Sequence, residues 1–124
     1  MALAKDIMGA GFSGGQATGL GGQYASIAAT GSAQGDAATL TASNVVVTAA
    51  DGTKGVILNG QVGDSVIVFN NSASTLKVYP PTGAAIAVPG TGLGSANAAY
   101  SHTTYAACTY TCFTTTQWIV EKSA

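Results

Sequence analysis

Strand-like patterning begins in earnest at Asn44 and is clearest in Ser65-Val66-Ile67-Val68-Phe69-Asn70. Side chains alternate along a strand, so Val66 and Val68 share one face and Ile67 and Phe69 the other. Both faces are apolar. A strand that hides both faces is covered twice, by its own core and by a second layer or another subunit. A polar turn at residues 70–74 follows, and then Leu76-Lys77-Val78-Tyr79. Together these segments read as a hairpin.

The same reasoning predicts strands over residues 44–49, 55–58, 65–70, 75–79, 85–88, 99–105, 108–114 and 117–122. Turn formers punctuate them: Asp51-Gly52, Asn59-Gly60, Gly63-Asp64, Pro80-Pro81-Thr82-Gly83 and Pro89-Gly90. Six to eight short strands at this spacing predict an all-β fold, an antiparallel sandwich or a jelly-roll-like barrel. The last two strands should form a hairpin that carries Trp118 into the core or an interface, given its large apolar area. Residues 24–39 are small and polar and fit an irregular strand and loop or a short helical turn. No sustained helical periodicity and no internal repeat is visible.

The first segment differs in kind. Glycine occupies positions 9, 11, 14, 15, 19, 21 and 22, and glycine loses the most backbone entropy on ordering. The expectation is a flexible arm over residues 1–22 and a β-sandwich domain over 23–124. Ile7, Phe12 and Leu20 are the arm's anchors, because the remainder is small.

Composition narrows the function. Charged residues make up 7% of the 124-residue chain, with net charge −1, against about 25% in ordinary soluble domains. Arginine is absent, and the four lysines are scattered. Nucleic-acid binding needs a basic patch to neutralise phosphates, and none is present. No stretch approaches the ~18 apolar residues that span a membrane. The start lacks a continuous apolar signal region and carries Asp6, so synthesis in a cytosol without export is expected. A surface of Ser, Thr, Gly, Ala and Asn suits a protein that ends up in an assembly.

The candidate chemistry is sparse. Gly9-Ala10-Gly11-Phe12-Ser13-Gly14 matches G-x-G-x-x-G, but a dinucleotide fingerprint needs a strand before it and a helix after it. It is read as glycine-rich arm. His102 has no G-x-S-x-G elbow to serve and is read as a surface or interface histidine. A zinc site from His102, Cys108 and Cys112 lacks a C-x2-C pair and a fourth ligand. On one strand, Cys108 and Cys112 would lie roughly 13 Å apart, beyond the ~7 Å limit for a disulfide. They are read as small buried hydrophobes. Asp36, Asp51 and Asp64 sit in turns, where Asp bonds to the local backbone. No catalytic, cofactor or metal residues are therefore expected. Tyr79, Tyr100, Tyr105, Tyr110 and Trp118 would serve a carbohydrate platform or, more simply, a core or interface.

The segments from Gly63 to Asn70 and from Leu76 to Ile86, with a terminal Gln117-Trp118, resemble small structural proteins of tailed bacteriophages, the capsid cement or decoration proteins. The resemblance implies a non-enzymatic β-sandwich protein that binds the major capsid protein of an assembled head and stabilises it. It implies a protein made in the host cytoplasm and located on the virion, while the two-faced strand Ser65–Asn70 and the low surface charge predict a homo-oligomer, trimer or dimer. Residues expected at capsid or subunit interfaces are Ile7, Phe12, Leu20, Val66, Val68 and Trp118. The alternative is a receptor- or glycan-binding module of a head or tail fibre.

Overall fold

Strands form where β-branched runs lie between turn formers, and the computed structural model, which describes residues 24–122, places them in two mixed sheets. In chain order they are β1 (Tyr24–Ala28), β2 (Ala38–Thr39), β3 (Asn44–Ala49), β4 (Gly55–Ile57) and β5 (Ser65–Asn70). Then come β6 (Leu76–Tyr79), β7 (Ala85–Ala87), β8 (Tyr100–His102), β9 (Ala107–Thr114) and β10 (Gln117–Lys122). The large sheet has the order β1-β3-β5-β9-β10-β7 and the small sheet β2-β4-β6-β8. The all-β expectation holds. No helix among the described residues is long and apolar enough to cross a membrane. The expected arm, residues 1–22 with Ile7, Phe12 and Leu20, lies outside the described residues.

The expected antiparallel order is corrected. From β1 to β6 the chain alternates between the sheets. β1, β3 and β5 run parallel in the large sheet, and β2, β4 and β6 run parallel in the small one. The chain thus winds through three successive coils, each contributing one strand to each sheet. Jelly rolls are built from antiparallel Greek keys, and this winding is a different connection. Apart from a single antiparallel bridge between Thr30 and Gly55, antiparallel pairing among the described strands enters at the closing end, where β8 joins β6, β9 joins β5, and β10 joins β9.

The predicted hairpin at residues 70–74 is also corrected. β5 and β6 lie in different sheets, so the polar turn carries the chain across rather than back. Its lock is Asn70, which is fully buried. Its Nδ2 donates to the carbonyls of Ser74 (2.9 Å), His102 (3.3 Å) and Thr103 (3.3 Å). Ser72 Oγ donates to Asn70 Oδ1 at 2.7 Å. The two earlier crossings from large to small sheet use an aspartate in place of the asparagine. Asp36 Oδ1 accepts from the amides of Ser32 and Ala33. Asp51 Oδ1 accepts from the hydroxyl of Thr53 and the amides of Thr53 and Lys54, which lower its pKa to about 2. Side-chain carboxylates and amides satisfy backbone groups that the bend removes from the ladders.

Asn70→Ala should therefore lower unfolding stability by about 1–3 kcal/mol, because the buried bond to the His102 carbonyl and the part-buried bonds to Ser74 and Thr103 are lost together. A urea midpoint within error of the parent would refute the role of Asn70 as the lock.

One core joins the sheets. Val45, Val47, Val66, Val68, Tyr110, Cys112, Trp118 and Val120 come from the large sheet, and Val56, Leu76 and Val78 from the small sheet. The register accounts for this. Val45 stands beside Val68, Val68 beside Cys108, and Val66 beside Tyr110, so inward residues form continuous rows.

Candidate functional site

The inward face accounts for three of the expected interface residues. Val66 is 4% exposed, Val68 0% and Trp118 1%. All three are consumed by the chain's own core and are not free for a partner. Burial of these side chains supplies the fold instead, at roughly 1.5–3 kcal/mol for each large apolar group.

Among the described residues, the other face of the large sheet carries the apolar side chains that the core does not take. Alternation turns Val46, Ile67, Phe69, Thr109, Thr111 and Ile119 away from the core. Register places Val46 beside Phe69 and Phe69 beside Ala107. Ile67 stands between Asn44 and Thr109, and Thr111 between Ser65 and Ile119. Ile67 is 37% exposed and Phe113, near the end of β9, 62%. Across all six strands the only charges are Glu121 and Lys122, at one end of β10. The result is a neutral, β-branched and aromatic face rimmed by hydroxyls. The two-faced pattern of Ser65–Asn70 already marked this strand, but the outward side is Ile67 and Phe69, not Val66 and Val68.

The titratable groups do other work. His102 is fully buried, not at the surface as its polar neighbours suggested. Its Nε2 lies 2.6 Å from the Ala106 carbonyl and its Nδ1 lies 2.8 Å from Tyr110 Oη. A carbonyl only accepts, so Nε2 carries the proton and Nδ1 accepts from the tyrosine hydroxyl. Cys108 and Cys112 are free and buried on the inward side of β9, as the strand spacing predicted. Burial raises both thiol pKa values, which opposes the thiolate that nucleophilic chemistry needs. Among the described residues no three His, Cys, Asp or Glu side chains gather as metal ligands. The carboxylates of Asp36, Asp51 and Asp64 all accept backbone amides in turns. An open groove of about 460 Å³ runs past Val62, Pro81, Cys112, Thr115 and Trp118, and no charged residue lines it.

The aromatic residues divide rather than assemble. Tyr110 and Trp118 are in the core, and Tyr100 meets Tyr110 edge-on at 6.2 Å. Tyr105 is 60% exposed. The five therefore do not form one stacking platform.

His102 carries a pH prediction. Burial, the largest cause, and Lys122 depress its pKa below the ordinary 6.5, against the opposing bond to Ala106. Tyr110, Tyr100 and Cys108, which share its surroundings, have raised pKa values and do not titrate in the acid range. A group with a depressed basic pKa binds more protons when unfolded, so stability rises with pH in that window. The contribution is complete above 6.5 and declines as pH falls below it. The melting temperature should drop between about pH 7 and about pH 5, and His102→Gln should flatten that drop. An unchanged slope in His102→Gln would assign the acid sensitivity elsewhere.

Comparison with known proteins returns no match, whether with family models, curated proteins or solved structures.

Proposed function

We propose that this chain is a non-enzymatic structural protein of a phage virion, a cement or decoration protein that binds the major capsid protein of the assembled head and stabilises it. The observation that carries this reading is the outer face of the large sheet, where six strands bring one corner of charge and otherwise neutral residues, chiefly Val, Ile, Phe, Thr, Ser and Ala with Tyr24 and Asn44. A neutral face of this kind gives many weak contacts without the desolvation cost of buried charge. On a symmetric shell each contact is repeated, so avidity replaces affinity per site. The resemblance of the Gly63–Asn70 and Leu76–Ile86 segments to decoration proteins points the same way. In this reading the two sheets form a sandwich-like body, and Ile7, Phe12 and Leu20 add contacts from residues 1–22.

Cosedimentation of the purified protein with empty phage heads, with a glycan array in parallel, tests it. The parent should pellet with heads and raise the temperature at which they break open. Ile67→Asp should stay folded and lose attachment, because a carboxylate there would be desolvated at the contact. Absence of head binding, with selective glycan binding, would replace this reading by a fibre-type recognition module.

A further inference from the structure

We infer that the outer edge of β1, unpaired among the described residues, is a self-pairing surface, on which a second copy of this chain docks its own β1 antiparallel across a two-fold axis at Ser26. The four edge strands are treated differently by the fold. In the small sheet the edges are β2, of two residues, and β8, of three. In the large sheet the far edge is β7, three residues, all buried. The segment after β7 lies against it. Val88 bridges to Gly92, the Asn97 amide donates to the Ala84 carbonyl at 2.8 Å, and a Cβ at Gly94 would sit 2.1 Å from the Ile86 carbonyl oxygen. β1 is the longest edge, five residues, and among the described residues it pairs only with β3.

Edges are ordinarily blunted by lysine, proline or inward charge, because unpaired amides and carbonyls template another strand. Tyr24-Ala25-Ser26-Ile27-Ala28 has none of these, and no charge follows until Asp36. The edge is also self-complementary. A two-fold axis at Ser26 sets Tyr24 opposite Ala28 and Ala25 opposite Ile27 of the other copy. Ile27 is half-buried and packs at the rim of the core, so pairing would bring it against Ala25 of the second copy and extend both cores. Tyr24, Ser26 and Ala28, exposed in one copy, would continue the outer face into the second. Isologous two-fold association is the commonest closed arrangement, and strand addition supplies its main-chain bonds. The inference concerns the free protein, so it can fail while capsid binding stands, and the reverse.

Sedimentation of the full chain over a concentration series should show a monomer–dimer equilibrium. Ser26→Lys sets two like charges face to face across the axis and should abolish the dimer with an unchanged circular dichroism spectrum. Ser26→Cys should cross-link under mild oxidation. Opposed residues in an antiparallel ladder sit about 4.5–5.5 Å apart at Cα, inside the disulfide range of about 4.4–6.8 Å. The parent should not cross-link, since Cys108 and Cys112 are buried. A chain that stays monomeric at its highest soluble concentration overturns the inference. If β1 amides are nonetheless protected from hydrogen exchange in that monomer, residues preceding Tyr24 cover the edge instead. A dimer that survives Ser26→Lys and leaves Ser26→Cys uncross-linked also overturns it, because it then uses another surface.

Discussion

Val68→Asp should leave the chain unfolded or insoluble, whereas Ile67→Asp, one residue away, should leave it folded. Val68 is fully buried in the middle of the large sheet, flanked by Val45 on β3 and Cys108 on β9. The cation of its register row, Lys122, stands two strands away beyond Cys108, with its Nζ donating to Thr103 Oγ1, so it is not placed to pair with a carboxylate at position 68. Burying an uncompensated charge costs several kcal/mol, about 3–5 when a lone partner is left. Domains of this size have about 5–15 kcal/mol in total, so the substitution takes much or all of it. Ile67 sits on the same strand with its side chain on the outer face and 37% exposed. Its replacement costs mainly β propensity, about 1 kcal/mol. Circular dichroism and solubility of the two variants decide the matter. A folded, soluble Val68→Asp would mean that the strand's inward and outward faces are reversed.

The borders of β3, β5 and β10 were legible to the residue. Val45 to Val47, Val66 to Phe69 and Trp118 to Val120 are β-branched or aromatic runs whose ends coincide with polar or turn-forming residues. β1 and β2 were not, because Tyr-Ala-Ser-Ile-Ala and Ala-Thr offer little contrast between faces. Strand direction was illegible for a different reason. Alternation along one strand is the same whether its neighbour runs parallel or antiparallel, and only the long-range register differs. Hence the turn at residues 70–74 read as a reversal, although Asn70 bonds it to the carbonyls of His102 and Thr103 on a remote segment. The three coils left no visible repeat, since they differ in length and share only the alternation and the acidic or amide residue at each crossing.

The candidate surface was half legible. The two-faced apolar pattern of Ser65–Asn70 singled out the right strand, but sequence cannot say which face the core takes. That is decided by neighbours: Val45, Tyr110 and Cys108 stand beside Val66 and Val68, and Thr109 and Ala107 beside Ile67 and Phe69. His102 shows the converse. Ser101 and Thr103 are exposed and suggested an exposed strand, yet His102 alternates with them and points inward. Its two partners, Ala106 and Tyr110, lie only four and eight residues on.

Trp118→Ala should cost about 3–5 kcal/mol, the range for truncating a large buried aromatic, and the damage should be concentrated at one edge. Trp118 is 1% exposed and is the chain's only tryptophan. It stands between Cys112 on β9 and Ile86 on β7, and its ring lies 3.2 Å from where a Cβ on Gly60 would be. A side chain at Gly60 would meet both the ring and Asp64 Oδ2, which lies 2.9 Å from the same point. β7 is three residues long and among the described residues has β10 as its only strand partner. With the indole gone, Ile86 loses its neighbour and the groove past Val62 and Pro81 opens into the core. Amide exchange should therefore accelerate in Ala85–Ala87 well before it does in Asn44–Ala49, where Val45 and Val47 keep their partners across β5. Trp118→Phe, which keeps a ring in the same place, should recover much of the loss. Equal acceleration in β3 and β7 would show that Trp118 supports the whole core uniformly, and that β7 depends on it no more than β3 does.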